Sequence, residues 1–152
     1  MAQFPFIPST EARDLGDDLR DVFDDLDAAL QPEQRAHSGE CHPALDVVET
    51  ADAVEIVVDV SGIPAEALRV LFRAGVVIVA GEKAPGVITA EPTFHLVERE
   101  FGRFARAVRL TGAFDPGQAR ASLSAGELTI VLPRLSERRG QAHAIAITPG
   151  RP

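Results

Sequence analysis

The side chains that could carry out covalent or metal chemistry are few and scattered. Cys41 and His42 are adjacent, but no glycine-rich turn accompanies them to hold an oxyanion. The remaining histidines are His37, His95 and His143. His37, Cys41 and His42 together lack a second ligand pair at the spacing that zinc sites use. The sequence therefore predicts neither a nucleophilic catalyst nor a metal site.

A run of aspartates between Asp14 and Asp27 is the densest group of carboxylates in the chain. It lacks the glycine turn and the ligand spacing of a calcium-binding loop, so we interpret it as the solvated face of a helix. The sequence contains no Gly-x-x-x-x-Gly-Lys motif, which argues against ATP use. We therefore expect no enzyme activity and no bound cofactor.

The 152 residues carry a net charge of −8 that is unevenly distributed. Residues 1–42 sum to −7, residues 43–133 to −4 and residues 134–152 to +3. An acidic head and a basic tail suit contact between subunits, although the same charges could serve solubility alone. Because phosphate binding needs a basic face, the overall acidity argues against nucleic acid as a partner.

Compartment and membrane signals are weak. Residues 1–10 do not have the pattern of a signal peptide. No apolar run approaches the roughly 18 residues of a membrane span. The single cysteine excludes a disulfide within the chain and fits a reducing compartment. We expect a cytoplasmic protein that does not bind membranes.

Hydrophobic periodicity divides the chain into a helical arm and a region of strands. Between residues 11 and 30, apolar residues recur every three or four positions, which predicts an amphipathic helix. Between residues 43 and 133, short alternating segments predict seven or eight strands and an all-β, immunoglobulin-like antiparallel sandwich. We therefore assign residues 1–42 to an N-terminal arm, residues 43–133 to the sandwich and residues 134–152 to an extended, flexible tail.

The sequence gives specific predictions for four further segments. Residues 76–80, Val-Val-Ile-Val-Ala, are expected to be buried on both faces. Residues 81–93 form a long loop rich in Pro and Gly, and such a loop is often functional. Residues 94–100 are expected to form a further strand, whereas residues 31–42 have the composition of a polar linker.

Four stretches, in this order, resemble the small heat shock proteins of the bacterial and plant type, the α-crystallin domain family. Residues 43–50 look like the opening of the domain, and residues 97–104, Val-Glu-Arg-Glu-Phe-Gly-Arg-Phe, look like its Arg-rich strand pair. Residues 121–133 are similar to the signature A-x-x-x-n-G-x-L-x-I-x-x-P, and residues 145–147 to the I-x-I anchor of the tail. The chain departs from the pattern at Ser61 and Thr111, where the family commonly has proline.

This resemblance implies an ATP-independent holding chaperone with an α-crystallin β-sandwich. Such a protein forms homo-oligomers from dimers, binds partly unfolded client proteins under stress and hands them over to ATP-dependent chaperones. A co-chaperone-like adaptor on the same sandwich, monomeric or dimeric, is the alternative. A monomer in solution favours the adaptor.

The tail is expected to join dimers into the oligomer. Ile145 and Ile147 point to the same side of an extended segment, so they can fill two adjacent pockets on a neighbouring subunit. The groove that receives them is expected to be lined by Leu68, Val70, Phe72, Val108 and Leu110. The alternative is that the tail pairs within its own domain as a last strand.

The resemblance places the dimer interface at the 81–93 loop and the arginines that follow. In bacterial and plant members this loop carries a strand that pairs with the neighbouring subunit, which implicates Val87 and Ile88. The family's arginines form ion pairs at the dimer interface, which implicates Arg99 and Arg106. An ordinary surface loop and exposed surface charge are the alternatives.

The N-terminal arm is expected to bind clients through apolar side chains, because an exposed apolar stripe is a binding surface or a liability. The side chains expected to do so are Phe4, Phe6, Ile7, Leu19 and Phe23. The alternatives are that the arm lines the interior of the oligomer, or that its helix packs on its own sandwich.

Overall fold

The computed structural model describes residues 9–31, 39–88 and 90–135. These ranges contain one helix, α1 (Ser9–Ala29), and seven strands: β1 (Leu45–Glu49), β2 (Ala53–Asp59), β3 (Leu68–Arg73), β4 (Val76–Lys83), β5 (Gly102–Arg109), β6 (Arg120–Ser124) and β7 (Glu127–Pro133). Five of the residues predicted to bind clients or anchor the oligomer lie outside the described residues: Phe4, Phe6, Ile7, Ile145 and Ile147.

The strands form two antiparallel sheets, in the orders β1-β2-β7-β6 and β3-β4-β5. In the larger sheet, the register places Ile56 of β2 opposite Ile130 of β7, and both are buried. Residues opposite each other share a face, so alternate positions of β2 and β7 point into the core. The predicted antiparallel sandwich is confirmed.

The smaller sheet supplies the other half of the core. Val77 and Val79 of β4 are at most 1% exposed and belong to the same hydrophobic cluster as Ile56. Phe104 of β5 joins this cluster and pairs with Gly81. A Cβ at residue 81 would lie 2.7 Å from the ring of Phe104, so glycine is what lets this ring approach β4.

α1 forms a third layer against the smaller sheet. It contacts β3, β4 and the short 3₁₀ turn Ala65–Ala67. Leu26, on its apolar stripe, is 0% exposed. Ile78 and Ala80 alternate with the inward-facing residues of β4, and they are also at most 1% exposed. The expectation that this strand is buried on both faces is therefore confirmed.

Two boundaries differ from the sequence prediction. The predicted strand at 94–100 is wrong, since these residues pair with no strand of the described chain. An extended segment becomes a strand only where another edge satisfies its N–H and C=O groups. The predicted linker also ends early, because Glu40 bridges Arg103 and the Cys41 N–H donates to the Arg103 carbonyl at 3.4 Å.

The contact of this segment with β5 depends on Gly102. Gly102 has a φ of +131°, and a Cβ there would lie 2.0 Å from the carbonyl oxygen of Gly39. The contact buries Cys41, whose thiol lies 3.6 Å from the carbonyl oxygen of Gly102. Burial raises the pKa of the Cys41 thiol above its ordinary value, which disfavours the thiolate.

We expect the Gly102→Ala variant to expose Cys41, because the added methyl group displaces the segment at Gly39. Alkylation by iodoacetamide at about pH 7.5 should then be about tenfold faster than in the wild type, since the thiol gains access and its pKa falls. Gly86→Ala is the matched control, because nothing lies within 4 Å of a Cβ at that position. Equal alkylation rates in all three proteins would contradict this account.

Candidate assembly and binding surfaces

The arm between β4 and β5 carries an apolar cluster that no other described part of the chain covers. The exposed side chains, with their exposed fractions, are Val87 (73%), Ile88 (54%), Phe94 (64%), Leu96 (74%) and Val97 (65%). They surround a shared concave surface that reaches Phe101. Exposed apolar patches of this kind mark sites of interaction with other proteins.

The two ends of this arm meet at the ring of Phe101. The guanidinium of Arg99 lies 4.9 Å from the ring centroid, and the ammonium of Lys83 lies 5.9 Å from it. Cations attract the face of an aromatic ring, so these contacts hold the arm where it joins β4 and β5. Arg99, predicted at the dimer interface, is exposed at the base of the apolar arm.

Arg106, also predicted at the dimer interface, lies on the inner face of the smaller sheet. It pairs in register with Val79, which is fully buried, and it alternates with Phe104 and Val108. Its guanidinium donates to the backbone carbonyl of Pro43. Within the described chain its recorded partner is thus a carbonyl that precedes β1, and its role at a dimer interface stays a prediction.

The residues predicted to line the anchor groove share one face of one sheet. β3 and β5 flank β4, and both Phe72 and Val108 pair with Val77. Leu68 is buried, Phe72, Val108 and Leu110 are half-buried against the core, and Val70 is 37% exposed. The predicted residues therefore lie on or directly after the two strands that flank β4, and their role in receiving the tail stays a prediction. Alternation shows which side chains share a face, but not which strands are neighbours.

The apolar stripe of α1 faces its own sandwich. Leu26 is fully buried, and Phe23 is half-buried with its ring centroid 5.3 Å from the guanidinium carbon of Arg103. Leu19, on the same stripe, is half-buried. Of the arrangements left open by the sequence, the structure shows the helix packed on the sandwich. Leu19 and Phe23 could bind a client only if α1 moved away.

Three aspartates of α1 form ion pairs with arginines of the smaller sheet. Asp18 pairs with Arg73 and Asp25 with Arg69, both on β3, and Asp27 pairs with Arg103 on β5. The hydrogen bond to Asp18 raises the pKa of the Arg73 guanidinium. The prediction that the aspartate run is a solvated face is wrong for Asp18, whose side chain is 11% exposed, whereas Asp25 is paired but 63% exposed.

Apolar burial and these ion pairs contribute unequally to the position of α1. Burying a leucine such as Leu26 contributes about 1.5–3 kcal/mol. Ion pairs that stay partly in contact with solvent contribute much less and weaken with salt. Apolar side chains such as Leu26, Val22 and Phe23 therefore contribute more to the attachment of α1 than the ion pairs do. Arg103 also donates to Glu82, which is buried, at 3.2 Å.

The described residues contain no group of three His, Cys, Asp or Glu side chains that could hold a metal ion. Cys41 is buried with a raised pKa, which disfavours the nucleophilic thiolate. No helix in the described part of the chain is long and apolar enough to span a membrane. The described surface instead offers an exposed apolar arm between β4 and β5 that other polypeptides can contact.

Comparison with known proteins agrees with the fold. The family model of the Hsp20/alpha crystallin family matches residues 46–148. The 16.9 kDa class I heat shock protein 1 of Triticum aestivum is 28% identical over 136 residues, which cover 89% of this chain and 90% of that protein. Heat shock protein 16 of Schizosaccharomyces pombe is 27% identical over 121 residues, which cover 78% of this chain and 85% of that protein.

Solved structures of small heat shock proteins have the same fold. Heat shock protein 16.0 from Schizosaccharomyces pombe superposes with a TM-score of 0.61 at 30% identity, covering 72% of this chain and all of that one. A small heat-shock protein from Xylella fastidiosa superposes with a TM-score of 0.58 at 25% identity, covering 73% of this chain and 98% of that one. The chain belongs to the Hsp20/alpha crystallin family, the small heat shock proteins, and its role is that of a chaperone.

Proposed function

We propose that this chaperone is an ATP-independent holdase that binds partly unfolded proteins and prevents their aggregation under stress. The observation that supports this most directly is the apolar arm between β4 and β5. It exposes Phe94 and Leu96 by 64% and 74% while the sandwich core is complete without them. A folded domain that keeps such a surface in contact with water is suited to bind the apolar segments that unfolding exposes.

Self-assembly is the second part of the proposal. Val87 and Ile88 of the arm contact a second subunit to form a dimer, with Arg99 and Arg106 contributing at that interface. Ile145 and Ile147 then join dimers into a larger oligomer by docking on a neighbour. The similar protein from Xylella fastidiosa is described as having a distinct high order structure, which supports assembly here.

The proposal also covers the compartment, the chemistry and the partners of the chaperone. The chain acts in the cytoplasm, makes and breaks no covalent bond, and needs no cofactor. Its partners are unfolding polypeptides and copies of itself, rather than nucleic acid or membranes. Clients held in this way pass to ATP-dependent chaperones for refolding. Phe4, Phe6 and Ile7 extend the surface that clients contact.

The purified protein should suppress the heat-induced aggregation of a model substrate at a stoichiometric ratio and without ATP. The reason is that apolar segments of the substrate bind the chaperone before they bind each other. Light scattering at about 45 °C measures the effect, a temperature at which many mesophilic substrates unfold. Addition of ATP should change nothing. Unchanged scattering in the presence of the chaperone would rule out a holdase.

Assembly is tested by the size of the particle in multi-angle light scattering. The wild type should be larger than a dimer, and Ile145→Ser/Ile147→Ser should reduce it to dimers, because polar side chains cannot fill apolar pockets. Val87→Ser/Ile88→Ser should weaken the dimer itself. Leu135→Ser, which changes an apolar residue that is 51% exposed elsewhere, is the control and should leave the size unchanged. A wild-type monomer would instead favour a co-chaperone-like adaptor on the same sandwich.

A further inference from the structure

The outer face of the smaller sheet has an apolar centre. Ile78 and Ala80 of β4 lie on this face, and each is at most 1% exposed. Ile78 pairs in register with Leu71 on one side and Ala107 on the other, so the neighbouring positions are apolar as well. The main folded core lies on the opposite face, with Val77 and Val79, so this centre is buried because α1 covers it.

Arginines surround this apolar centre on three sides. Alternation along the strands places Arg69 and Arg73 of β3 and Arg103 of β5 on the outer face. Their positions in the register are opposite Ala80, Val76 and Glu82 respectively. The face therefore combines an apolar strip with a rim of three arginines, of which Arg103 also donates to the buried carboxylate of Glu82 on the same face. Its complement is a segment that carries apolar side chains between carboxylates.

α1 has this complementary pattern. Leu26 is fully buried at the contact, while Asp25 and Asp27 on either side of it pair with Arg69 and Arg103. The middle of the helix is held by Asp18, whose side chain is 11% exposed and pairs with Arg73. Leu15 lines the same cleft as Ile78. The helix thus occupies the face as a bound ligand would.

We propose that the outer face of the smaller sheet is a binding surface for acidic amphipathic segments of unfolding proteins, and that α1 is its built-in competitor. In the resting chain α1 occupies the surface. A client segment with apolar residues between Asp or Glu side chains displaces α1 and makes the same pairs with Arg69, Arg73 and Arg103. This deepens the proposed holdase function, on which it rests, by naming a second surface, its client chemistry and its control.

The ion pairs make this exchange reversible. Arg73 and Arg103 keep 59% and 41% of their side-chain area exposed, and Asp25 keeps 63%. Such pairs are individually weak and are screened by salt. A competing segment that supplies the same three charges therefore replaces these pairs without breaking the strand pairing of the sandwich.

The test is the binding of a fluorescent peptide with the sequence of residues 9–31 to the full-length protein, followed by fluorescence anisotropy. Asp18→Asn/Asp25→Asn/Asp27→Asn in the protein weakens its own α1, so it should bind the wild-type peptide about tenfold more tightly than the wild-type protein does. The control removes charges from the exposed side of the same helix: Asp17→Asn and Asp24→Asn. It should bind like the wild type.

A charge exchange separates specific binding from loss of structure. Arg73→Glu in the triple-Asn protein should reduce affinity for the wild-type peptide by about tenfold, whereas Arg120→Glu on exposed β6 should not. A peptide with Asp18→Arg should restore binding to the Arg73→Glu protein, which an unfolded variant could not do.

Equal peptide affinity in the triple-Asn protein and its control, or failure of the charge exchange, overturns this inference. Both outcomes are independent of aggregation suppression by the wild type. If suppression is present while peptide binding ignores these charges, the holdase proposal stands and the surface proposed here does not. If suppression is absent but charge-dependent binding is present, α1 does occupy this face reversibly, but the holdase proposal fails and the client-binding role proposed here fails with it.

Discussion

The burial of β4 on both faces is the constraint on which the rest of the structure depends. Val77 and Val79 pack into the core against the larger sheet. Ile78 and Ala80 face the other way and need a second layer, because exposing apolar side chains to water is unfavourable. α1 supplies that layer: it contacts β4, and Leu15 lines the same cleft as Ile78. The acidic helix α1 is therefore part of the folded domain. The apolar surface that stays exposed lies between β4 and β5.

Most of the fold could be predicted because period-two alternation is a local signal. The described chain contains seven strands where the sequence predicts seven or eight, and the apolar segment 76–80 lies within β4. The predicted strand at 94–100 failed for a physical reason, since alternation reports a suitable segment but not whether an edge is available to it. The contact of Cys41 with β5 escaped prediction because its neighbours in the sequence are polar.

The candidate surfaces were harder to predict because they depend on contacts between distant residues. The three aspartates of α1 read as solvated, yet their arginine partners lie 44 to 76 positions away. One signal was present, because an uninterrupted apolar strand at 76–80 cannot lie at the surface of a two-layer sandwich. It required a third layer, and the only amphipathic helix expected from the sequence was α1.

The most direct test of whether α1 covers the smaller sheet is hydrogen–deuterium exchange of the full-length protein, followed by mass spectrometry over α1 and β4. If α1 covers the sheet, residues 15–29 should be protected in the wild type, and Leu26→Asp should remove that protection. The same substitution should leave β1, β2 and β7 protected, because the strand pairing of the larger sheet does not involve α1. If residues 15–29 exchange as fast as an unstructured peptide in the wild type while β4 stays protected, α1 does not form the third layer and the account is wrong.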